Sequence, residues 1–293
     1  MKNVLTSLLL SCLVALMAIP FGIATDDFSA VTSTASVTNA APTVGTITAT
    51  DPVTLSESTN VTVWCNATVT DTNGYSDVST VSAKLWDPAS TTEGAGNDYN
   101  NHFTNSTCTL SGGSGTTVNA ACSFNVHYSA NAAEWTCKLT ATDAGALTGT
   151  ASATDVTVNQ LKALSTVSAS LAFSELALGA TSSSDKNINV TNTGNVLIDV
   201  SVDGYGAIDG DGKSMTCTIG TITLANVKYN LTSGQDFDTT MTSLTDIAVI
   251  LADFDLAKTT DGTPSTKAIF WKLRMPSSDV GGTCNGKIVV TAV

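Results

Sequence analysis

Residues 61–69, with the sequence VTVWCNATV, decide the fold because their side chains alternate between apolar and polar. A β-strand points successive side chains to opposite faces of the sheet. One face of this stretch therefore meets a core and the other meets water. The inward set is Val61, Val63, Cys65, Ala67 and Val69, and the outward set includes Thr62, Trp64, Asn66 and Thr68.

A second stretch, residues 134–141, has the same period and also aims a cysteine inward. Trp135, Cys137 and Leu139 share one face, while Thr136 and Lys138 lie on the other. Two inward cysteines on separate strands predict a disulfide that joins two sheets, with Trp135 packed against it. Cys65 and Cys137 therefore indicate a β-sandwich.

The remaining cysteines fit a disulfide framework. Cys12 lies in the N-terminal apolar run, which leaves an even number of cysteines for an exported chain. We predict a hairpin pair between Cys108 and Cys122 and a later pair between Cys217 and Cys284. No CxxC or HxxxH spacing supports zinc as the alternative. Such a framework indicates an oxidising, extracellular location.

Residues 1–24 have the pattern of an export signal. A lysine precedes an apolar run, and small residues precede Asp26 and Asp27. Two alternatives remain open, an uncleaved N-terminal anchor and lipid attachment at Cys12. The rest of the chain has no second apolar span, so we expect no membrane span in the mature protein.

The charge balance limits the partners. The chain has 25 acidic and 12 basic residues, for a formal net charge of −13. It has no basic stripe that could displace counterions from phosphate, which argues against nucleic acid, and it is equally unsuited to anionic membranes.

Alternating segments separated by turn residues predict an all-β protein with two tandem, disulfide-pinned sandwiches of Ig-like or jelly-roll-like type. We expect a flexible Ser/Thr-rich arm over residues 25–41, an Ig-like sandwich over 42–160 and a second sandwich over 165–293. Residues 243–255, SLTDIAVILADFD, suit a short helix or a buried strand, and we predict a strand.

Acceptor triplets of the form Asn-x-Ser/Thr support the strand phase. The four acceptors placed in strands all fall on the predicted water side, which predicts N-glycosylation where the host has the machinery. The acceptors are Asn60, Asn66, Asn105, Asn189 and Asn230.

Two turns rich in carboxylates and amides are candidates for calcium, the one small ligand that the sequence favours. The first contains Asp71, Asn73 and Asp77, and the second contains Asp209 and Asp211. Neither has the acid that an EF-hand carries at its twelfth position, and turns of this composition are often only turns. No cofactor is required.

The sequence predicts no catalytic residue. It contains two histidines, and the predicted framework leaves no cysteine as a nucleophile. Recognition is instead expected at the long loop of residues 89–106, which contains Tyr99 and His102, and at Trp64 and Trp86, whose strand phase points outward. Trp135 and Trp271 are predicted core residues.

Several motifs resemble known surface modules. The first half resembles the Ig-like modules of archaeal and bacterial cell-surface proteins, and the second is similar to surface sandwich domains and, more loosely, to matrix-fibre subunits of biofilm filaments. The residues that carry these resemblances are Trp64-Cys65, Asp71-Thr72-Asn73-Gly74, Leu85-Trp86-Asp87-Pro88, Trp135-Thr136-Cys137, Asn192-Thr193-Gly194-Asn195 and Trp271-Lys272-Leu273-Arg274-Met275-Pro276. The resemblance implies surface structure and no particular activity.

Three hypotheses about function follow. The first is a structural subunit of an extracellular layer or filament, in which the arm adds as a strand to a neighbouring copy. The second is an adhesin that binds glycans or other cell-surface proteins through the 89–106 loop. The third is a secreted hydrolase, for which the sequence offers no catalytic triad.

Overall fold

A computed structural model describes residues 31–166 and 170–293. The predicted export signal and the first part of the arm lie outside the described residues. The chain divides into two compact units, residues 1–38 and 39–293. Within the first unit, residues 31–38 are exposed and form no helix or strand. No helix in the described residues is both long and apolar enough to cross a membrane.

The first half of the larger unit is a sandwich of two antiparallel sheets. One sheet has the order β1-β3-β7-β6, with β2 also paired to β3, and the other has the order β5-β4-β8-β9. Its strands are β1 (Thr43–Val44), β2 (Thr48–Ala49), β3 (Val61–Thr70), β4 (Val78–Trp86), β5 (His102–Asn105), β6 (Thr109–Ser114), β7 (Thr117–Val126), β8 (Glu134–Asp143) and β9 (Thr148–Thr157).

The core of this sandwich follows the predicted alternation. Along β3 the side chains of Val63, Cys65, Ala67 and Val69 are buried, and those between them are exposed. Cys65 in one sheet bonds Cys137 in the other, both fully buried, and Trp135 is also fully buried. The inter-sheet disulfide predicted from residues 61–69 is therefore confirmed.

The second half contains three smaller sheets, with orders β10-β11-β18-β15-β16, β17-β12-β20 and β14-β13-β19. Its strands are β10 (Leu164–Thr166), β11 (Lys186–Asn192), β12 (Val200–Tyr205), β13 (Lys213–Ile219), β14 (Thr221–Thr223), β15 (Val227–Asn230), β16 (Thr242–Ser243), β17 (Val249–Ile250), β18 (Thr266–Leu273), β19 (Gly281–Asn285) and β20 (Lys287–Ala292). One-turn 3-10 helices cover Tyr75–Asp77 and Leu224–Asn226.

A separate hydrophobic core lies between these sheets, centred on the fully buried Trp271. The other two predicted disulfides are present, Cys108 with Cys122 and Cys217 with Cys284. Cys217 and Cys284 are register partners on β13 and β19, so this bond joins two neighbouring strands of one sheet. All-β architecture with two disulfide-containing sandwiches is thus the fold of the described residues.

The strand predicted over residues 243–255 is wrong. The chain there forms only the end of β16 and the two-residue β17, with turns between and after them. Leu244, Leu251 and Phe254 are buried, so the apolar residues still serve the core, but from turns that follow its surface. An apolar run without a clear period therefore did not specify an element.

Candidate functional site

The most concentrated chemistry in the described residues is a cluster of three carboxylates. Asp71 follows β3, Asp77 ends the 3-10 turn before β4, and Asp143 ends β8. One carboxylate oxygen from each residue lies within 4.8 Å of the others. Antiparallel pairing of β4 with β8 brings Val78 opposite Asp143, and this register closes the cluster.

Hydrogen bonds fix part of this cluster. Oδ1 of Asp71 accepts from the backbone N–H of Asn73 at 2.8 Å. Asp143 accepts from the N–H of Leu147 at 2.8 Å and from Nδ2 of Asn39 at 2.9 Å. Oδ2 of Asp71 and Oδ2 of Asp77 are buried and accept no hydrogen bond from the described residues.

The electrostatics of the cluster are unfavourable without a counter-charge. Burial raises the pKa of Asp77 above its ordinary value, and the charges of Asp71 and Asp143 raise it further, against an opposing backbone hydrogen bond from Ala144. No ion pair within residues 31–166 and 170–293 includes any of the three carboxylates. The cluster is therefore a place where anionic charge accumulates out of water.

The sequence predicted two members of this cluster and missed the third. Asp71 and Asp77 are brought together as expected, whereas Oδ1 of Asn73 accepts the backbone N–H of Ala40 at 2.8 Å. Asp143 was not among the predicted ligands. The signal that it belongs here is the β4–β8 register, which the sequence does not show.

The second calcium candidate has a different structure. The carboxylate of Asp211 accepts hydrogen bonds from the backbone N–H groups of Gly206, Ala207, Ile208 and Lys213. These donors lower the pKa of Asp211 to about 2, with the bond from Ala207 the largest cause. The carboxylate organises its own turn, and Asp209 is exposed. Burial raises the pKa of Asp203, and Asp209 lies close enough for its charge to raise that pKa further, but among the described residues no three acids here bring their oxygens within 4.8 Å of one another.

Most of the 89–106 loop, which the sequence proposed for recognition, is exposed or partly exposed, but Asn100 and His102 within it are buried. Nδ2 of Asn100 donates to the backbone oxygen of Thr259 at 2.8 Å, and the Asn100 side chain is buried. His102 is fully buried at the start of β5, where Nε2 lies 3.0 Å from the backbone oxygen of Glu93. The expectation of an accessible His102 is wrong because its own loop folds over the ring, with Asn97 and Glu93 at the two ring nitrogens, whereas Tyr99 is 48% exposed.

Two further side chains complete the junction from the second sandwich. Nζ of Lys258 donates to the backbone oxygen of Ser129 at 2.9 Å and also contacts Oδ1 of Asn131. Nδ2 of Asn195 donates to the backbone oxygen of Ala130 at 2.8 Å. Burial lowers the pKa of Lys258, against the opposing charges of Asp87 and Asp98. These buried polar contacts cross from one sandwich to the other and fix their relative placement.

The two histidines show no catalytic arrangement in the described residues. Nδ1 of His127 lies 2.7 Å from Oγ of Ser129, but that serine is fully buried and its hydroxyl donates to the backbone oxygen of Tyr99. A nucleophile must be reachable by its substrate. The six cysteines of the described chain are all in disulfides.

The predicted outward tryptophans differ from each other. Trp64 is 43% exposed on the outer face of β3, as its phase indicates. Trp86 is only 9% exposed, and the prediction that it points to solvent is wrong. It lies at the end of β4, where buried residues follow each other without alternation, between His102 of β5 and Thr136 of β8.

None of the five glycosylation acceptors is buried. Asn60 and Asn66 are exposed, and the other three are partly exposed. Nδ2 of Asn105 donates to the backbone oxygen of Ser123, and Nδ2 of Asn230 donates to that of Thr240. Nδ2 is the atom to which a glycan would be attached, so at these two sites the acceptor nitrogen is held against the backbone before attachment, although it would keep one N–H afterwards.

A groove of about 1240 Å³ opens in the second sandwich. Residues 170–178, which form no strand, line one side, and β19 with the start of β20 line the other. Leu171, Phe173 and Leu176 from this segment pack against the core. The groove therefore exposes the gap between two sheets that a regular strand would close in a fully paired sandwich.

Comparisons with known proteins do not place the chain in a family. No family model matches it, and no curated protein matches it. Among solved structures, it is similar to a carbohydrate-binding module of the β-sandwich superfamily, at 15% identity over 87% of this chain and 97% of that one, with a TM-score of 0.24. It is also similar to a DUF4466 family protein from Parabacteroides merdae, at 10% identity over 81% and 100%, with a TM-score of 0.22. At these TM-scores neither likeness bears on what this chain binds.

Proposed function

We propose that this protein is a secreted, non-catalytic structural subunit of an extracellular layer or filament, and that its copies join by strand addition. The arm of one copy, residues 25–41, would pair with the edge strand β20 of the next copy. The observation that carries the proposal is the unpaired, apolar edge of β20 beside the groove.

The β20 edge has the properties of an acceptor. Among the described strands, β20 pairs only with β12, so its other edge is unpaired. Ile288 and Val290 pack against the core, Val289 between them belongs to the opposite face, and all three are partly exposed. An apolar edge strand is a template for pairing with another chain, and monomeric proteins usually protect such edges.

The arm has the properties of a donor. Residues 31–41, VTSTASVTNAA, are uncharged and rich in valine and threonine, which favour extended structure. Val31 and Val37 are 87% and 85% exposed. At about 3.3 Å per residue an extended arm reaches roughly 35 Å, which exceeds the length of the six-residue β20. The charges of the arm are confined to Asp26 and Asp27 at its start, and Asn39 and Ala40 hydrogen-bond to their own first sandwich, so the donor segment ends before Asn39.

The compartment follows from covalent chemistry. Three disulfides in a chain of this size indicate an oxidising environment. A structural role outside the cell also accounts for disulfides both between neighbouring strands and between sheets, since an extracellular subunit must stay folded for a long time.

Electron microscopy and sedimentation of the purified mature chain test the proposal. We expect the intact chain to form ordered assemblies, and we expect deletion of residues 25–38 to leave it monomeric. Val289→Lys, which places a charge on the β20 edge, should block assembly to the same extent. Ser111→Lys on β6, an exposed edge strand of the first sandwich, is the matched control and should assemble normally.

A synthetic peptide of residues 25–41 gives a second test. It should bind the arm-deleted chain and should not bind the arm-deleted chain that also carries Val289→Lys. An intact chain that stays monomeric at high concentration, or assemblies unaffected by both the deletion and Val289→Lys, would refute strand addition.

The adhesin hypothesis is supported by the exposed rings of Trp64 and of Tyr99 in the 89–106 loop, either of which could stack on a sugar. Trp64→Ala should then reduce binding to a glycan panel without changing stability. Binding that is unchanged by this substitution would remove Trp64 from consideration.

A further inference from the structure

We propose that Asp71, Asp77 and Asp143 form a calcium site that clamps the start of the first sandwich. This inference does not depend on assembly by strand addition. It enlarges the turn predicted from sequence by adding a ligand from a different strand and by removing Asn73 from the ligand set.

The first argument is the state of the oxygens. Asp71 is fully buried, and its Oδ2 accepts no hydrogen bond from the described residues. Oδ2 of Asp77 is in the same condition. A buried carboxylate oxygen without a donor is rare in folded proteins, and a bound cation is one of the few partners that would satisfy it.

The second argument is convergence. One oxygen from each of the three carboxylates lies within 4.8 Å of the others. Two oxygens that bind the same calcium ion at 2.3–2.6 Å can be at most about 5 Å apart, so this separation suits a shared ion. An all-oxygen ligand set that includes three carboxylates favours calcium over softer metals.

The third argument is the pattern of support around the cluster. Asn39 donates to Oδ2 of Asp143, and Asn73 donates its N–H to Oδ1 of Asp71, which holds both carboxylates in place. Gly145 has no side chain where a Cβ would come within 2.3 Å of Nδ2 of Asn39, so glycine permits that close approach. Ligands held by outer hydrogen bonds are typical of built metal sites.

The clamp joins three parts of the chain. Asp71 and Asp77 come from the turn before β4, Asp143 comes from the turn after β8, and Asn39 with Ala40 hydrogen-bonds to both turns. Calcium would neutralise part of the negative charge of the three carboxylates and would thereby stabilise the turns that hold Asn39 and Ala40, near the end of the arm. The site belongs to the weaker class of extracellular modules, for which dissociation constants are about 10⁻⁴ to 10⁻³ M.

Isothermal titration calorimetry and thermal unfolding of the purified, chelator-treated chain test the site. We expect one calcium ion to bind, and 10 mM calcium should lower the unfolding equilibrium constant by about 10- to 100-fold. Magnesium should give a smaller effect because it requires a more regular, smaller shell.

Asp77→Asn is the decisive variant. It should abolish calcium binding, and without calcium it should unfold at the same temperature as the wild type or higher, because it removes one of three like charges. A purely structural aspartate would give a less stable variant in both conditions. Asp211→Asn is the matched control, because the Asp211 carboxylate accepts four backbone N–H groups and is not part of the proposed site. The Asp211→Asn chain should still bind calcium.

Three results would overturn the proposal. The first is a wild-type chain that gives no heat of binding and no thermal shift at 10 mM calcium. The second is an Asp77→Asn chain that still binds calcium, and the third is calcium binding that is lost in Asp211→Asn but retained in Asp77→Asn. If Asp77→Asn does not fold, the wild-type titration and its reversal by chelator decide the question alone.

Discussion

The two sandwiches of this chain solve the same packing problem with different completeness. In the first, a buried disulfide ties one sheet to the other, and the edge strands β6 and β9 are dominated by Thr, Ser, Gly and Ala. In the second, the disulfide joins neighbouring strands of one sheet, a groove opens beside the core, and the edge strand β20 exposes isoleucine and valine. The two sandwiches thus differ in the side chains of their edge strands, which are small or polar in β6 and β9 and largely apolar in β20.

The difference suits the two sandwiches to different roles within the proposed subunit. A sandwich with both sheets stapled and polar edges is suited to be a rigid spacer. A sandwich with a free apolar edge is suited to accept a strand. Hydrogen bonds from Asn100, Lys258 and Asn195 cross the junction and hold the two sandwiches in a fixed relative position.

The disulfides offer the largest test of this contrast. The loops closed by Cys65–Cys137 and Cys217–Cys284 have sequence separations of 72 and 67, so the chain-entropy model assigns roughly 4 kcal/mol to each. Removing the first pair should cost about 1 kcal/mol more because both sulfurs are fully buried and alanine leaves a cavity. Chemical unfolding of the Cys65→Ala/Cys137→Ala and Cys217→Ala/Cys284→Ala chains, followed by hydrogen exchange in each sandwich, measures the difference. A larger loss of unfolding free energy on removing Cys217–Cys284 would show that the second sandwich depends more on its disulfide than the first.

The buried tryptophans of the two cores provide a second test of the difference between the sandwiches. Nε1 of Trp135 donates to the backbone oxygen of Asn131 at 2.9 Å, whereas the buried Nε1 of Trp271 has no partner among the described residues. Trp135→Phe loses a hydrogen bond as well as packing, and Trp271→Phe loses packing alone. We expect Trp135→Phe to be more destabilising by about 1 kcal/mol in urea unfolding. Equal losses would indicate that the indole N–H of Trp135 contributes nothing net.

A smaller effect is expected from pH, and it should fall on the first sandwich, which contains both histidines of the chain. Burial lowers the pKa of His127, so below about pH 6.5 the unfolded chain binds a proton that the folded chain resists. The contribution to stability is complete above pH 6.5 and is lost as the pH falls through the lowered pKa. Unfolding temperatures between pH 7 and pH 5 should therefore fall less in His127→Gln than in the wild type. Parallel curves would show that His127 is not involved.

The smallest effect concerns sugar attachment and leaves stability nearly unchanged. Asn60 and Asn66 are exposed on the first sandwich, whereas Nδ2 of Asn230 on the second already donates a hydrogen bond. Mass spectrometry of the exported protein should find higher occupancy at Asn60 and Asn66 than at Asn230. The control is Asn105, which lies on the first sandwich but is also hydrogen-bonded, and it should resemble Asn230. Equal occupancy at Asn105 and Asn66 would show that the hydrogen bond from Nδ2 does not limit glycosylation.

The sequence by itself determined the features that depend on local order. The period of two in residues 61–69 fixed which side chains of β3 are buried, and it placed Cys65 where it meets Cys137, because side-chain direction in a strand follows from position alone. Turn residues and cysteine spacing likewise indicated the strands and the other two disulfides.

Only the tertiary structure decided what comes from distant parts of the chain. Asp143 joins Asp71 and Asp77 through the β4–β8 register, and His102 is buried because distant residues of its own loop fold over it. Periodicity within one strand carries no information about what packs against its end. Contacts between residues far apart in sequence depend on how the sheets pair and pack, and that was settled only when the whole chain folded.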